Sequence, residues 1–220
     1  VVAAAPASHA GLIRASVGGL QGKSRARVVA PPPWTEGFDD RKPGPPPPHW
    51  INALGKFQIR QFEDGNVLVK LADNPATQRA RIFAGAADWH DYTVEADIRA
   101  TERRRQMGDA GIVAQRYSLV LFGNHQKIEI HPWQADPSRS VGKPFAWKGD
   151  TWYRAKLRVE NLADGQVKLQ GKVWPRDDAE PEAWTIEHLD SVPNRQGSPG
   201  LYARAPFEIL FDNYRVTPNP

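Results

Sequence analysis

The chain has 220 residues, 40% hydrophobic and 25% charged, enough for one good core, or one domain plus a fragment. Its 29 basic and 25 acidic residues leave a net charge of +4 that is mixed along the chain rather than gathered in a stripe, which argues against nucleic-acid binding. No apolar run approaches the ~20 residues that span a bilayer, and the lack of cysteine excludes disulfides, thiolate nucleophiles and Cys-ligated metals.

The first residue is Val1, so a processed or shortened chain is expected. VVAAAPASHA has the small residues of a signal-peptide end without a basic or long apolar region, and reads equally as a linker. Residues 11–29 alternate (Ile13, Ala15, Val17, then Ala26 and Val28) around Gly18-Gly19, which predicts a hairpin. A lone hairpin is marginal in water, so it must dock on the main domain, another chain or a preceding module, and the last is preferred. Polyproline at 31–33 and PGPPPPHW at 43–50 flank a first strand over 34–40. The expected organisation is a hairpin remnant at 1–30, a proline-rich connection at 31–49 that includes that strand, and a main domain at 50–220.

From Trp50 onward nearly every segment reads as strand. Residues 56–61 and 67–71 flank a turn at 63–66. A short strand follows at 79–83, then an alternating one at 92–99, and a basic loop at 101–106. Residues 111–122 and 126–130 predict one hairpin, and 143–148 a short run. An edge strand at 184–189, a turn at 194–200 and strands at 201–203 and 208–216 close the domain. About 12 short strands with Gly, Pro and Asn turns and no convincing helix predict an all-β fold, an antiparallel two-sheet jelly-roll sandwich.

Residues 152–174 form the clearest unit. Tyr153, Ala155, Leu157 and Val159 share one face of the first arm, and Val167, Leu169, Gly171 and Val173 one face of the second. Pairing Val159 with Val167 would set Arg158 opposite Lys168, Arg154 opposite Lys172 and Trp152 opposite Trp174. Like charges so placed repel, so this outer face should meet carboxylates, solvent or a ligand. Trp152, Arg154, Lys156, Lys172 and Trp174, with Arg116 and Tyr117, are the candidate ligand-binding residues.

Glu95 and Asp97, two apart on one strand, share a face and form a weak catalytic pair. Arg99 stands where glucanases that carry Glu-x-Asp-x-Glu on one strand have their third carboxylate, so the set for a retaining mechanism is incomplete. The preferred reading of the same two acids is as counter-charges to the basic face. Glu36, Asp39 and Asp40 of the first strand, and Asp212 and Asn213 of the last, are hard oxygen donors from distant segments that suit a calcium ion, or are simple surface acids and a turn. The eight tryptophans fit core or edge plugs, or sugar-stacking platforms, with Gln115, Asn124 and Gln126 as further hydroxyl partners.

The segments DAGIVAQRYSLVLFGNHQKIEIHPW, WYRAKLRVE, GKVWP, EPEAWTIE, GSPGLYA and FDNYRVTPN resemble the concanavalin-like jelly-roll domain at the C-terminus of bacterial envelope proteins that carry a PQQ-type β-propeller. That domain is similar to the 3-keto-disaccharide hydrolase family. GLIRASVGGLQGKSRARVV resembles the last strands of an immunoglobulin-like module that precedes it. The resemblance covers residues 34–219 and implies an extracytoplasmic protein of periplasm, outer membrane or cell surface. The expected function is a non-catalytic module that binds carbohydrate or packs against other protein chains of an envelope assembly. A 3-keto-disaccharide hydrolase-like enzyme and a purely structural subunit joined by strand addition are the alternatives.

Overall fold

A computed structural model describes residues 8–72, 78–134 and 136–220. The reading of residues 1–7 as leader end or linker lies outside the described residues. β1 (His9–Val17) and β2 (Leu20–Val28) form the expected N-terminal hairpin, a separate two-stranded sheet. Its register makes it amphipathic. Ile13, Ala15, Val17 and Leu20 share one face, and Arg14, Lys23, Arg25 and Arg27 the other. Leu12, Ile13, Val17 and Leu20 are all exposed.

The main body follows as β3 (Trp34–Glu36), β4 (Phe57–Phe62), β5 (Gly65–Lys70), β6 (Arg79–Phe83) and β7 (Tyr92–Ala100). Next come β8 (Glu102–Arg103), β9 (Gln106–Met107), β10 (Asp109–Ala114), β11 (Tyr117–Phe122), β12 (Lys127–Pro132) and β13 (Val141–Pro144). β14 (Tyr153–Asn161), β15 (Val167–Pro175), β16 (Ile186–Asp190), β17 (Gly200–Arg204) and β18 (Ile209–Pro218) complete the chain. All pairings are antiparallel. The smaller sheet has six strands in the order β13-β12-β11-β10-β17-β6. The larger has eight: β16-β15-β14-β7-β18-β5-β4, with β3 also on β18. This is the two-sheet antiparallel sandwich that the alternation predicts.

The core lies between the sheets, built from inward alternate residues. Val94, Ala96 and Ile98 of β7 meet Ala155, Leu157 and Val159 of β14 on one side, and Ile112, Leu119, Leu121 and Ile130 line the other; all are fully buried. β18 runs along β7 throughout, but its other edge is shared, with β5 beside Ile209–Phe211 and β3 beside Tyr214–Val216. A bulge at Asp212 and Asn213 marks the change of partner, with Asn213 in the left-handed region at φ 48°.

Four local expectations are corrected. Residues 111–122 are two strands, not one. Gln115 and Arg116, at φ 49° and 67°, make a two-residue hairpin turn between β10 and β11. The basic loop at 101–106 holds the small β8–β9 hairpin, turning through left-handed Arg104 and Arg105. The first strand stops at Glu36. The 152–174 hairpin pairs Val159 with Leu169 rather than Val167. Leu162 N–H donates to the Gln166 carbonyl and Gln166 N–H to Asp164 Oδ1, so a shorter loop carries the first strand on to Asn161, opposite Val167. Because the slip is two residues, every side chain keeps its face.

Candidate functional site

The outer face of the larger sheet carries the predicted basic stripe. In the observed register Arg154 faces Trp174, Arg158 faces Gln170, and only Lys156 and Lys172 sit opposite each other. Each charge is answered within the chain. Arg154 Nε and Nη2 hold the two oxygens of Asp97 at 2.6 and 2.9 Å, and Asn213 Nδ2 donates to Asp97 at 2.8 Å. Lys156 pairs with Glu95 at 3.2 Å. Glu180, from the acidic segment after β15, bridges Lys156 and Lys172 at 2.8 and 2.7 Å. Burial pushes its carboxyl up, but the two lysine hydrogen bonds outweigh that and hold it below its ordinary value. Lys172 also donates to the Pro181 carbonyl and lies 4.7 Å from the Trp184 ring centroid.

The two tryptophans of this face are buried. Trp152 is 9% exposed and packs with Val67, Val69, Leu210 and Phe62, with the Arg176 guanidinium 5.0 Å from its ring. Trp174 is 6% exposed, beside Lys172.

Glu36, Asp39 and Asp212 have separate employments. Glu36 binds the Arg41 guanidinium. Asp39 Oδ1 accepts the Asn66 N–H at 2.9 Å and pins the β4–β5 turn. Asp212 accepts the N–H of Asn213 at 2.7 Å, and its pKa is pushed up to about 6 by burial, with Asp97 and Asp39 adding to the effect. Of the calcium set, Asp39 and Asp212 line one cleft whose lining omits Glu36, and among the described residues no group of three or more His, Asp or Glu side chains is arranged to hold a metal ion. Each carboxylate is instead engaged by a neighbour in its own segment or by the turn it holds.

The outer face of the smaller sheet is differently built. Val113, Val120 and Tyr202 point away from the core yet are buried in a second cluster with Phe83 and Phe122. Trp133 lies against Phe83 at the margin of this cluster. It follows β12, while Phe83 and Arg81 belong to β6, with three strands between. On a flat sheet those strands would lie about 19 Å apart. Instead the Trp133 and Phe83 rings approach to 5.7 Å, and the Arg81 guanidinium stacks 4.5 Å from Trp133 and 5.4 Å from Tyr202. The segment after β12 thus folds in over the face. Burial, and then Arg79, lower the Arg81 pKa. Its Nε and Nη2 have no hydrogen-bond partner among the described residues.

Beside this bridge opens a cleft of ≈ 440 Å³ whose lining includes Phe83, Trp133, Arg116, Gln196 and Ser198. Trp133 is 37% exposed. Arg116 is exposed and has no polar partner among the described residues. The wall is preorganised from below. The Gln115 side chain, fully buried, accepts from Asp91 N–H and donates to Asn161 and to the Asn194 carbonyl. The Tyr92 hydroxyl donates to the Gly197 carbonyl and accepts the Gln115 N–H. Tyr117 is buried rather than open to a ligand: its hydroxyl donates to Asp190, itself held by Arg139, and accepts the Asn194 N–H. Tyr117 therefore positions the 194–199 loop.

Of the residues expected to contact a ligand, the structure puts Arg116 on this cleft and the other six elsewhere. Sequence reasoning missed Phe83, Trp133, Gln196 and Ser198. The one available signal was Trp133 ending the β12 alternation, where a large aromatic at a strand end lacks a core face to occupy. Asn124 and Gln126 serve locally, accepting from Met107 and Trp147 N–H groups.

No family model and no curated protein matches the chain. Solved structures do. A structure from work on endo-acting O-glycanases of the human gut microbiota aligns over 85% of this chain and 99% of its own, at TM-score 0.55 and 12% identity. A glycoside hydrolase family protein from Mycobacterium thermorestibile gives 83%, 99%, 0.54 and 12%. An endo-β-1,4-glucuronan lyase from the fungus Trichoderma reesei gives 84%, 95%, 0.51 and 10%. The fold is the concanavalin-like jelly roll. At these identities the likeness establishes the fold alone.

Proposed function

We propose that this chain is a non-catalytic, carbohydrate-binding β-sandwich of an extracytoplasmic bacterial protein, and that its sugar site is the Trp133 cleft. The observation that carries the reading is an exposed indole backed by Phe83 and ringed by Arg116, Gln196 and Ser198. A sugar ring offers an apolar C–H face and an edge of hydroxyls. An aromatic surface with a few fixed polar groups satisfies both at once. The β1–β2 hairpin and the resemblance to a propeller-associated envelope domain support placement within a larger assembly.

A binder is favoured over a hydrolase by the state of the candidate acids. Asp97 is fully buried, and its two oxygens are occupied by Arg154 and Asn213. Glu95 is paired with Lys156. Neither stands free to take or give a proton. A carbohydrate array probed with the wild-type chain and with Trp133→Ala tests the reading. Binding to a glycan that is lost in the variant supports it. Absence of binding to any arrayed glycan, or binding that survives Trp133→Ala, overturns it.

A further inference from the structure

Charge is handled in opposite ways by the basic stripe of β14 and β15 and by the cleft of the smaller sheet. On the larger sheet Arg154, Lys156 and Lys172 are each matched by Asp97, Glu95 or Glu180 within the chain. On the smaller sheet two guanidiniums are left unmatched. Arg116 lines the cleft without a partner among the described residues, and Arg81 is held between the Trp133 and Tyr202 rings with Nε and Nη2 unsatisfied. Arg79 adds a third positive charge close enough to disfavour ionisation of Arg81. The nearby carboxylates do not answer them. Glu129 is taken by Lys127 at 2.6 Å. Asp109 accepts the Gly123 N–H at 3.1 Å. Asp88 neighbours the wall residue Ala87 in the chain but does not line the cleft, and no carboxylate does.

An unmatched, partly desolvated positive field beside an aromatic surface favours an anion. We propose that the Trp133 cleft selects anionic glycans, sugars bearing a carboxylate or a sulfate, with Arg116 reading the anionic group while the ring stacks on Trp133. This rests on the carbohydrate reading above and adds the substrate class. A planar guanidinium meets a carboxylate or sulfate through two parallel N–H···O bonds, which a hydroxyl cannot reproduce. Arg116 is also placed rigidly for a surface arginine. It sits in a left-handed turn against Gly197, where an added Cβ would lie 2.6 Å from Arg116 Cγ and 2.9 Å from its backbone nitrogen.

Calorimetric titration of the full chain with a glucuronic-acid tetramer, a sulfated oligosaccharide and neutral cellotetraose decides the matter. The expected result is at least about tenfold tighter binding of one or both acidic probes than of cellotetraose, the preference shrinking as salt rises. Which acidic probe wins identifies the anion. Arg116→Gln should bring the acidic affinity down toward the neutral one, Arg116→Lys should restore part of it, and Lys143→Gln, on the opposite edge strand, should change nothing. Equal affinity for acidic and neutral probes overturns the anionic selectivity and leaves the carbohydrate reading standing. A preference that survives Arg116→Gln overturns the role of Arg116. Binding of none of the three probes, in a chain that still binds a neutral glycan on an array, likewise sinks the anionic class. Silence on the array as well sinks the carbohydrate reading itself.

Discussion

Arg154 and Asp97 lie opposite each other on β14 and β7, and the guanidinium grips both carboxylate oxygens at 2.6 and 2.9 Å. Asp97 is fully buried, so it cannot lose this partner without leaving an uncompensated charge. The pair sits at the middle of the larger sheet, where β7 is the central strand. It converts two residues that sequence suggests for catalysis and binding into one structural lock.

Arg154→Ala is therefore expected to destabilise the fold by about 3 kcal/mol. Asp97→Asn with Arg154→Met should cost less than Arg154→Ala alone, because the unpaired charge is gone. Urea unfolding of the single and double variants measures the coupling. Additive losses would contradict the lock.

Asp212 gives the chain a pH signature of definite sign. Its folded pKa, about 6, stands above the ordinary value of 3.8. The native state therefore binds this proton more tightly than the unfolded chain, and the contribution to stability falls as pH rises from 4 to 6. His49 acts oppositely: burial, with Arg41, lowers it from 6.5 to about 4, so its contribution is lost as pH falls through that window. Comparing Asp212→Asn with wild type cancels the histidine. The variant should gain on the order of 1 kcal/mol above pH 6, after allowance for solvent screening, and nothing at pH 4. A gain independent of pH in thermal melts would show that ionisation is not the cause.

Trp152 and Trp133 should separate stability from binding. Trp152 is buried among Val67, Val69 and Leu210, so Trp152→Ala is expected to cost about 3 kcal/mol or more in stability. Glycan affinity should be untouched in the folded fraction. Trp133→Ala should do the reverse, with a smaller loss in the melting midpoint and the loss of array signal.

Gly197→Ala tests the wall of the cleft. The new methyl would crowd Arg116 Cγ and backbone at under 3.0 Å, moving the Gln115–Arg116 turn. About 1–3 kcal/mol of destabilisation together with weakened binding is expected by calorimetry; retained affinity would mean that the turn tolerates displacement.

Glu36 is bound by Arg41 and Asp39 by the β4–β5 turn, so excess calcium or chelator should leave the thermal midpoint unchanged. A calcium-dependent rise would restore the ion to the first and last strands.

The strands were legible because alternation is local. Tyr153 to Val159 and Val94 to Ile98 declare a buried and an open face without reference to any other part of the chain, and their pairing in a sandwich follows from the need to cover the buried face. The same local logic made Glu95 and Asp97 credible counter-charges to the basic stripe. It failed at Gln115-Arg116, because neither residue type announces a left-handed turn, and the apolar residues on either side read as one strand across it.

What the sequence by itself determined is thus the all-β class, the hairpins and which side chains face the core. The tertiary structure alone decided which charges are answered within the chain and where the aromatic cleft opens. Glu180 neutralises Lys156 and Lys172 only because the segment after β15 folds back across them. Trp133 meets Phe83 across three intervening strands, as His131 meets Tyr202 across two, because the sheet and the segment after β12 curve over that face. Both are contacts set by the path of irregular chain in three dimensions, and periodicity along the sequence carries no information about that path.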